Sequence, residues 1–219
     1  MRRSYTVRVV ARALHLVRHG EVHNPAGVIY GRLPGFRLSD RGRAMAAMTA
    51  RAMADLPVTR LVASPLLRTQ QSAQPIAEIF DLEIEPDERV IESTNRFEGR
   101  VSGGAALFSD PKDWPLFRNP LVPTWGEPYR AIVERMREAI REVFATTESG
   151  DAVIVSHQLP IWMVHRSVQR KPLPHDPRLR RCALSSVTTF ERRDGRIVET
   201  AYSDPAAPLL AEAVDRGAS

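Results

Sequence analysis

The chain has 219 residues, 43% of them hydrophobic, so it is long enough to bury one substantial core and short for two domains. Its formal net charge is +5, and all but two of its 31 basic residues are arginine, a balance that favours anionic ligands in general. A single cysteine, Cys182, excludes an internal disulfide and leaves too few thiols for a zinc knuckle.

We therefore predict one domain over residues 1–219, with residues 1–11 as a loose N-terminal arm and residues 204–219 as a frayed tail. Arg8 and Arg12 interrupt the apolar residues that a signal peptide would need near the start. No stretch approaches the roughly 18 apolar residues of a membrane span. The sequence thus predicts a cytoplasmic protein with no membrane partner.

The first predicted strand is the apolar run 14–17, which stops in Arg18-His19-Gly20. Residues 22–38 then contain so many Gly, Pro and Asn residues that we expect a long shaped loop, and such a loop at a strand end usually forms binding surface. Ser39 is the predicted N-cap of a helix that ends before Pro57. This stretch delivers a guanidinium and an imidazole to one strand end.

A second buried strand is predicted at 59–63, followed by Ser64-Pro65, which is typical of a helix N-terminus. Arg68 would then lie about one turn inside that helix, at the end whose unpaired amides attract anions. A third strand is predicted at 82–84. Glu92 follows the apolar pair 90–91 and precedes a polar loop, a placement that fits either a surface acid or a site residue.

The second half of the chain begins with residues 93–126, where we expect irregular structure that covers the site. Residues 127–148 carry apolar side chains at helical spacing. The run 152–155 predicts a buried strand that ends at His157, and 160–168 predicts a helix. Last come a basic loop over residues 166–181 and a hairpin that pairs residues 184–190 with 197–202 across Asp194-Gly195.

Strands that alternate with helices predict an α/β sandwich with a mostly parallel central sheet. In such sheets ligands bind beyond the carboxyl ends of the strands. His19, Arg68 and His157 each follow a predicted strand directly or within one helical turn. We therefore expect these three side chains to meet in one crevice.

The chemistry of that crevice follows from the residue types. Imidazole is a nucleophile near neutral pH. Each of two arginines can bind two oxygens of a phosphate at once. A structural, hydrogen-bonded histidine is the plainer interpretation of His19 taken alone. A metal site at His19 and His23 would need a helix to bring both rings to one face, and Asn24-Pro25 argues against a helix there. The sequence favours metal-free chemistry, with no cofactor.

Four motifs in order resemble those of the histidine phosphatase superfamily, in its phosphoglycerate mutase-like branch. They are Leu16-Val17-Arg18-His19-Gly20-Glu21, Leu38-Ser39-Asp40-Arg41-Gly42, the run 63–73 that begins Ala63-Ser64-Pro65-Leu66-Leu67-Arg68, and Val155-Ser156-His157. The resemblance covers about residues 13–200. It implies a three-layer α/β/α sandwich like that of phosphoglycerate mutase.

Carried over residue by residue, the resemblance implies that His19 is phosphorylated during turnover. Arg18, Arg68 and His157 would form the phosphate pocket, and Glu92 would protonate the leaving oxygen. Two further segments resemble the family, namely Glu98-Gly99 and Gly126-Glu127 with Arg135. The predicted substrate-binding set adds two residues to the pocket, Asn24 and Gln158.

The sequence also departs from the family pattern. Val22 stands where many members have Ser or Thr, and Asn24 lies five rather than six residues past the nucleophile. Gln158 replaces a common Gly after the second histidine, and Pro128 replaces the usual Ser before the long helix. These changes suggest an atypical substrate or reduced activity.

The sequence accordingly predicts a phosphatase that acts on a small phosphorylated metabolite. Phosphoglycerate mutase-type transfer and a catalytically weak phospho-ligand-binding protein remain as alternatives. The arginines of the basic loop, Arg178 and Arg180 among them, have no interleaved aromatics for base stacking, so we expect no nucleic-acid partner. They either rim the crevice or are solvated, and a homodimer is possible.

Overall fold

The computed structural model describes residues 11–101, 110–117 and 124–215. The strands in these ranges are β1 (Ala13–Arg18), β2 (Val58–Ala63), β3 (Ile84–Pro86), β4 (Asp151–Ser156), β5 (Val187–Arg193) and β6 (Arg196–Ser203). The α-helices are α1 (Asp40–Ala52), α2 (Leu67–Phe80), α3 (Tyr129–Thr146), α4 (Gln158–Val168) and the short α5 (Ala207–Leu210). Within the same ranges no helix has the length and apolarity needed to cross a bilayer.

The strands form one mixed sheet in the order β3-β2-β4-β1-β5-β6. Strands β1 to β4 run parallel, with Leu16 of β1 opposite Ile154 of β4. Strands β5 and β6 are antiparallel additions on the other side of β1. The predicted parallel part is confirmed, and it places the ends of β1, β2 and β4 side by side.

Side chains of β1 alternate between two helical layers because successive residues of a strand point to opposite faces. Leu14 and Leu16 pack into a core with Ile132 and Met136 of α3 and residues of α4. Val17 points the other way, into a core shared with Ile76 of α2 and Ala50 of α1. The protein is therefore the three-layer α/β/α sandwich that the resemblance implied.

Two predicted helix starts have different outcomes. The Ser39 side chain accepts a hydrogen bond from the Gly42 amide, so it caps α1 as predicted. Ser64 does not cap α2, which begins at Leu67 after Leu66, a residue without a side-chain cap. The Ser64 hydroxyl instead accepts from the Leu66 amide at 3.4 Å, before the helix begins, and contacts His157 at 2.8 Å.

Several predicted boundaries shift by about two residues. The third strand is Ile84–Pro86 rather than 82–84, and the long helix is Tyr129–Thr146 rather than 127–148. Helix α4 begins at Gln158, not at residue 160, since Pro160 is tolerated in a first turn. The hairpin turn at Asp194-Gly195 is confirmed, and the φ values of 50° and 73° at these residues match a type I′ turn.

The expectation of a frayed tail is wrong for residues 204–215. Ala206 is buried against Met45 and Leu184, and Leu209 and Leu210 pack beside it. The tail then reaches the crevice, where Asp215 pairs with Arg18. Residues 1–10 of the predicted arm and the last four residues lie outside the described ranges, as do 102–109 and 118–123 of the predicted irregular region.

Candidate active site

Three strand ends bring their polar residues together at the carboxyl edge of the sheet. His19 directly follows β1, Ser64 follows β2 and His157 follows β4. The rings of His19 and His157 lie edge to face, with centroids 5.2 Å apart. All three residues are fully buried, so the predicted meeting of strand ends is found.

A hydrogen bond of the His19 ring shows which of its nitrogens carries a hydrogen in the neutral form. Its Nδ1 lies 2.8 Å from the carbonyl oxygen of Gly20. A carbonyl only accepts, so Nδ1 carries the hydrogen and donates it. The other nitrogen, Nε2, is buried with no hydrogen-bond partner among the described residues. His19 thus offers an unprotonated nitrogen to the interior of the site.

His157 is held in the opposite tautomer. Its Nδ1 lies 3.2 Å from a terminal nitrogen of Arg68, and a guanidinium only donates, so Nδ1 accepts. Its Nε2 therefore carries the hydrogen and donates it to the Ser64 hydroxyl at 2.8 Å. The lone pair of His19 is at Nε2 and faces the interior of the site, whereas the lone pair of His157 is at Nδ1 and faces an arginine.

Both histidines are kept neutral by the same surroundings. The pKa of His19 is lowered well below its usual value by burial and then by the charges of Arg68 and Arg18. The pKa of His157 is lowered in the same way by burial, Arg68 and His19. A bound anion between the arginines would offset their charge and raise both pKa values.

Arg68 lies in the first turn of α2 and is 1% exposed. One of its terminal nitrogens donates to the Gly31 carbonyl at 2.7 Å, and its guanidinium stacks over the Tyr30 ring. The carbonyl belongs to the long loop 22–38, so this loop shapes the site as predicted. These partners of Arg68 are a carbonyl and a ring face, which carry no negative charge. Its positive charge is therefore available to an anion.

Arg18 has a different set of partners. Its guanidinium, which is fully buried, donates to the Cys182 carbonyl at 2.7 Å. The two terminal nitrogens also hold the carboxylate of Asp215, at 2.8 Å and 2.5 Å. This paired arrangement is the one by which arginine holds two oxygens of a carboxylate or a phosphate.

Glu92 is fully buried beside His157, with Oε2 at 3.9 Å from the ring Nδ1. Its Oε1 accepts from the Ser93 amide, and Oε2 has no hydrogen-bond partner within the described residues. The backbone around it is fixed, since Arg32 donates to the Glu92 carbonyl and Arg135 to the Ile91 carbonyl. The structure therefore brings Glu92 into the cluster, with one oxygen open to the interior.

Arg32 and Arg135 are themselves joined by Glu127, which accepts from both of them. Glu127 lies just before α3, and Arg135 is on the helix. The segment 126–127 with Arg135, singled out in the sequence, thus forms a frame around Glu92 rather than part of the cluster itself.

Gly20 serves the site through close packing. A Cβ on Gly20 would lie 2.4 Å from the Gly42 carbonyl oxygen, and a Cβ on Gly42 would lie 2.0 Å from the Glu21 oxygen. The two glycines let α1 contact the chain just past the nucleophile. Val22 pairs with Leu38 in a buried bridge, so its methyl groups close the base of the loop.

The remaining predicted site residues differ in position. Gln158 begins α4, donates to the Cys182 carbonyl at 3.5 Å and accepts from Arg180 at 3.2 Å, so it adjoins Arg18. Asn24 bonds both backbone groups of Val28 within its own loop. The structure joins Gln158 to the cluster and gives Asn24 a turn-forming contact. His23, the other half of the rejected metal pair, is exposed.

A cleft of about 400 Å³ opens beside the cluster. Its walls come from the segments around Glu92 and α3, from the start of α4, from the basic loop and from the tail. They comprise Ser93, Thr94, Asn95, Trp125, Gly126, Glu127, Tyr129, Gln158, Leu159, Pro177, Arg178, Arg180 and Asp215. Arg178 and Arg180 thus line the cleft, as expected if the basic loop rims the crevice.

The sequence did not identify Ser64, the Cys182 carbonyl or Asp215 as site groups. Ser64 was interpreted as a helix cap, a role with the same residue preference. A backbone carbonyl has no residue signature. Asp215 lies 197 residues from Arg18, and nothing in the local pattern of the tail marks it.

Comparison with known proteins identifies the family of this chain. A model described as the histidine phosphatase superfamily (branch 1) matches residues 14–205. An uncharacterized protein of Mycobacterium tuberculosis is 49% identical over 195 residues, covering 89% of this chain and 96% of that protein. A probable phosphoglycerate mutase of Erwinia tasmaniensis is 28% identical over 200 residues, covering 86% and 91% respectively.

The fold has solved counterparts. The structure of a mycobacterial glucosyl-3-phosphoglycerate phosphatase in complex with inorganic phosphate matches with a TM-score of 0.73 at 21% identity. The match covers 90% of this chain and 99% of that chain. At this identity the likeness shows the shared architecture, and it confirms the predicted fold class.

Proposed function

Because the chain belongs to the histidine phosphatase superfamily, we propose that it hydrolyses phosphate monoesters through a phosphohistidine at His19, without a metal ion. The observation that carries the proposal is the state of His19. Its ring is neutral, Nδ1 is committed to the Gly20 carbonyl, and Nε2 has a lone pair directed into a pocket with two arginines. That is the arrangement that a nucleophilic imidazole requires.

In the first step the His19 Nε2 lone pair attacks phosphorus, and the ester P–O bond breaks. Glu92 gives its proton to the departing oxygen. Arg18 and Arg68 hold the phosphoryl oxygens, since positioning and charge neutralisation supply most of the catalysis in phosphoryl transfer. His157 joins them when the bound anion raises its pKa and Nδ1 gains a proton, since in the neutral ring Nδ1 accepts from Arg68 and Nε2 donates to Ser64.

In the second step a water oxygen attacks phosphorus and the N–P bond breaks. The Glu92 carboxylate takes the proton of that water, which restores the acid for the next cycle. The buried Oε2 near His157 supports both roles because it is free to exchange a proton with a group in the cleft. His19 returns to its neutral tautomer.

The substrate that we propose is a small phosphorylated metabolite, which the volume of the cleft accommodates. The structural neighbour that is a glucosyl-3-phosphoglycerate phosphatase supports hydrolysis. The Erwinia relative named a probable phosphoglycerate mutase supports the alternative, in which the phosphoryl group returns to a second hydroxyl of the same metabolite.

The decisive experiment measures p-nitrophenyl phosphate turnover in the presence of a chelator. We expect the wild type to release phosphate and His19→Ala to lose at least about 10³-fold in rate, as when an enzyme loses its nucleophile. His23→Ala is the matched control, since this histidine is exposed and should leave the rate unchanged. Loss of activity with chelator would contradict the metal-free mechanism.

A second arm separates the alternatives by product. With phosphoglycerate as substrate, a phosphatase releases inorganic phosphate, whereas a mutase yields a positional isomer, and ³¹P NMR distinguishes the two. Binding of phosphate without turnover of p-nitrophenyl phosphate or of a metabolite panel would support the phospho-ligand-binding alternative instead.

A further inference from the structure

The C-terminal segment of the chain returns to the candidate active site along an anchored path. After β6, Ala206 is buried against the body of the protein, and α5 follows. Arg41 then binds Glu212 twice, through the backbone carbonyl at 2.8 Å and the carboxylate at 3.1 Å. Three residues later Asp215 reaches Arg18.

The contact that ends this path is a paired one. Both oxygens of Asp215 lie on the two terminal nitrogens of Arg18, at 2.5 Å and 2.8 Å. The Arg18 side chain is 0% exposed, whereas that of Asp215 is 39% exposed and lines the cleft. The arginine belongs to the interior and the carboxylate comes to it from the cleft side.

The edge of a guanidinium that is formed by its two terminal nitrogens holds one paired acceptor, a carboxylate or a phosphate, at a time. While Asp215 occupies this edge of Arg18, a phosphoryl group cannot take the same positions, and the carboxylate charge opposes an anion arriving beside it. Occupation by Asp215 and occupation by phosphate are therefore alternatives for Arg18.

We propose that Asp215 is an intramolecular competitor for the phosphate site, which substrate must displace from Arg18 before it binds productively. The inference rests on the proposed role of Arg18 in phosphate binding. The tail then regulates the site through a two-state equilibrium, closed on Arg18 or released to the cleft. Its closed fraction reduces the apparent affinity for every phosphate ligand by the same factor.

The test uses the full-length chain and inorganic phosphate, whose binding is measured by calorimetry without any need for turnover. Asp215→Asn removes the competing charge and should tighten phosphate binding about tenfold, the factor for an open state populated at about 10%. Asp40→Asn is the matched control, because it removes the charge of a fully exposed carboxylate on α1 that pairs with Arg43 of the same helix. It should leave phosphate affinity unchanged.

A second measurement tests displacement itself. Hydrogen exchange of the backbone amides over residues 207–215 should accelerate in the wild type when phosphate saturates the site. Unchanged protection at saturation, or equal phosphate affinity in wild type and Asp215→Asn, would overturn the proposal. An equal gain in Asp40→Asn would also overturn it, since general electrostatics would then explain the effect.

The hydrolase activity and the competitor role of Asp215 can be refuted independently. If no variant turns over any phosphate ester but Asp215→Asn still binds phosphate more tightly, the competitor role stands and the hydrolase fails. If wild type and Asp215→Asn hydrolyse p-nitrophenyl phosphate with equal KM and equal phosphate affinity, the hydrolase stands and the competitor role fails.

Discussion

His19 and His157 are neighbours of the same type that are held in opposite tautomers. The Gly20 carbonyl fixes one ring and the Arg68 guanidinium fixes the other, because the first group only accepts and the second only donates. The different roles proposed for the two rings therefore follow from which group faces Nδ1. Ser64 completes the second assignment by accepting from Nε2 of His157.

Glu92→Gln tests the proton donor. The amide cannot supply a proton, so we expect kcat/KM for an alkyl phosphate to fall by about 10²- to 10⁴-fold. A p-nitrophenyl ester has a good leaving group and should lose far less, which makes it the internal control. Equal losses on both substrates, in steady-state assays of one preparation, would show that Glu92 acts in another way.

Ser64→Ala tests the tautomer of His157. Loss of the acceptor leaves the buried Nε2–H without its partner, and we expect kcat/KM to fall by about 10- to 100-fold, as for other orienting partners. The ¹⁵N chemical shifts of the ring should change with it. Thr147→Ala, which removes a buried hydroxyl on α3's C-terminal side, should leave kcat/KM intact. Unaltered ¹⁵N shifts in Ser64→Ala would contradict this role.

At the scale of elements, the site depends on how tightly α1 contacts the end of β1. Gly42 is a buried residue in the first turn of α1, and a Cβ there would meet the Glu21 carbonyl oxygen at 2.0 Å. Helix propensity alone says that alanine would stabilise this position by about 1 kcal/mol. Packing makes the substitution destabilising instead, because the added Cβ would contact backbone atoms that cannot rotate away.

We therefore expect Gly42→Ala to lower the free energy of unfolding by about 1–3 kcal/mol, the usual cost of overpacking. Urea denaturation measures it. Arg43→Ala is the control, since this exposed neighbour on the same helix turn should change stability by no more than about 0.5 kcal/mol. Stabilisation by Gly42→Ala would mean that the chain past His19 shifts easily, and the nucleophile would then be less rigidly placed.

The strands and helices of the site could be predicted from the sequence only where local patterns specify them. Apolar runs that end in His19 and His157 predicted two strand ends of the site because strand burial leaves a strong local pattern. The start of α2 was missed because Ser64 bonds His157 instead of the helix amides. Asp215 was missed because the pairing partner is at the other end of the chain, and only the folded structure brings them together.

At the scale of the whole molecule, folding creates a positively charged pocket in which histidines must stay neutral. Burial and the charges of Arg68 and Arg18 lower the pKa of His19 and of His157 well below the usual value of about 6.5. In the unfolded chain the same rings bind protons below about pH 6.5. The unfolded state then binds more protons than the folded one, so acid favours unfolding.

The free energy of unfolding should therefore fall as the pH decreases from about 6.5 to 5, by up to about 1.4 kcal/mol per pH unit for each such histidine. Urea denaturation at several pH values measures this slope. His157→Gln should reduce the slope, and saturating phosphate should reduce it too, since an anion stabilises the protonated rings. A slope unaffected by either change would show that these histidines are not the source.

Cys182 is the sole cysteine of the chain, so its thiol can be labelled selectively in solution. The Cys182 carbonyl holds Arg18, while its thiol is buried, and burial raises the pKa of that thiol to about 11. The thiolate is the reactive form, so alkylation of the closed protein must be slow. Cys182 is thus a built-in probe beside Arg18, and its rate of alkylation measures how often the buried thiol becomes accessible.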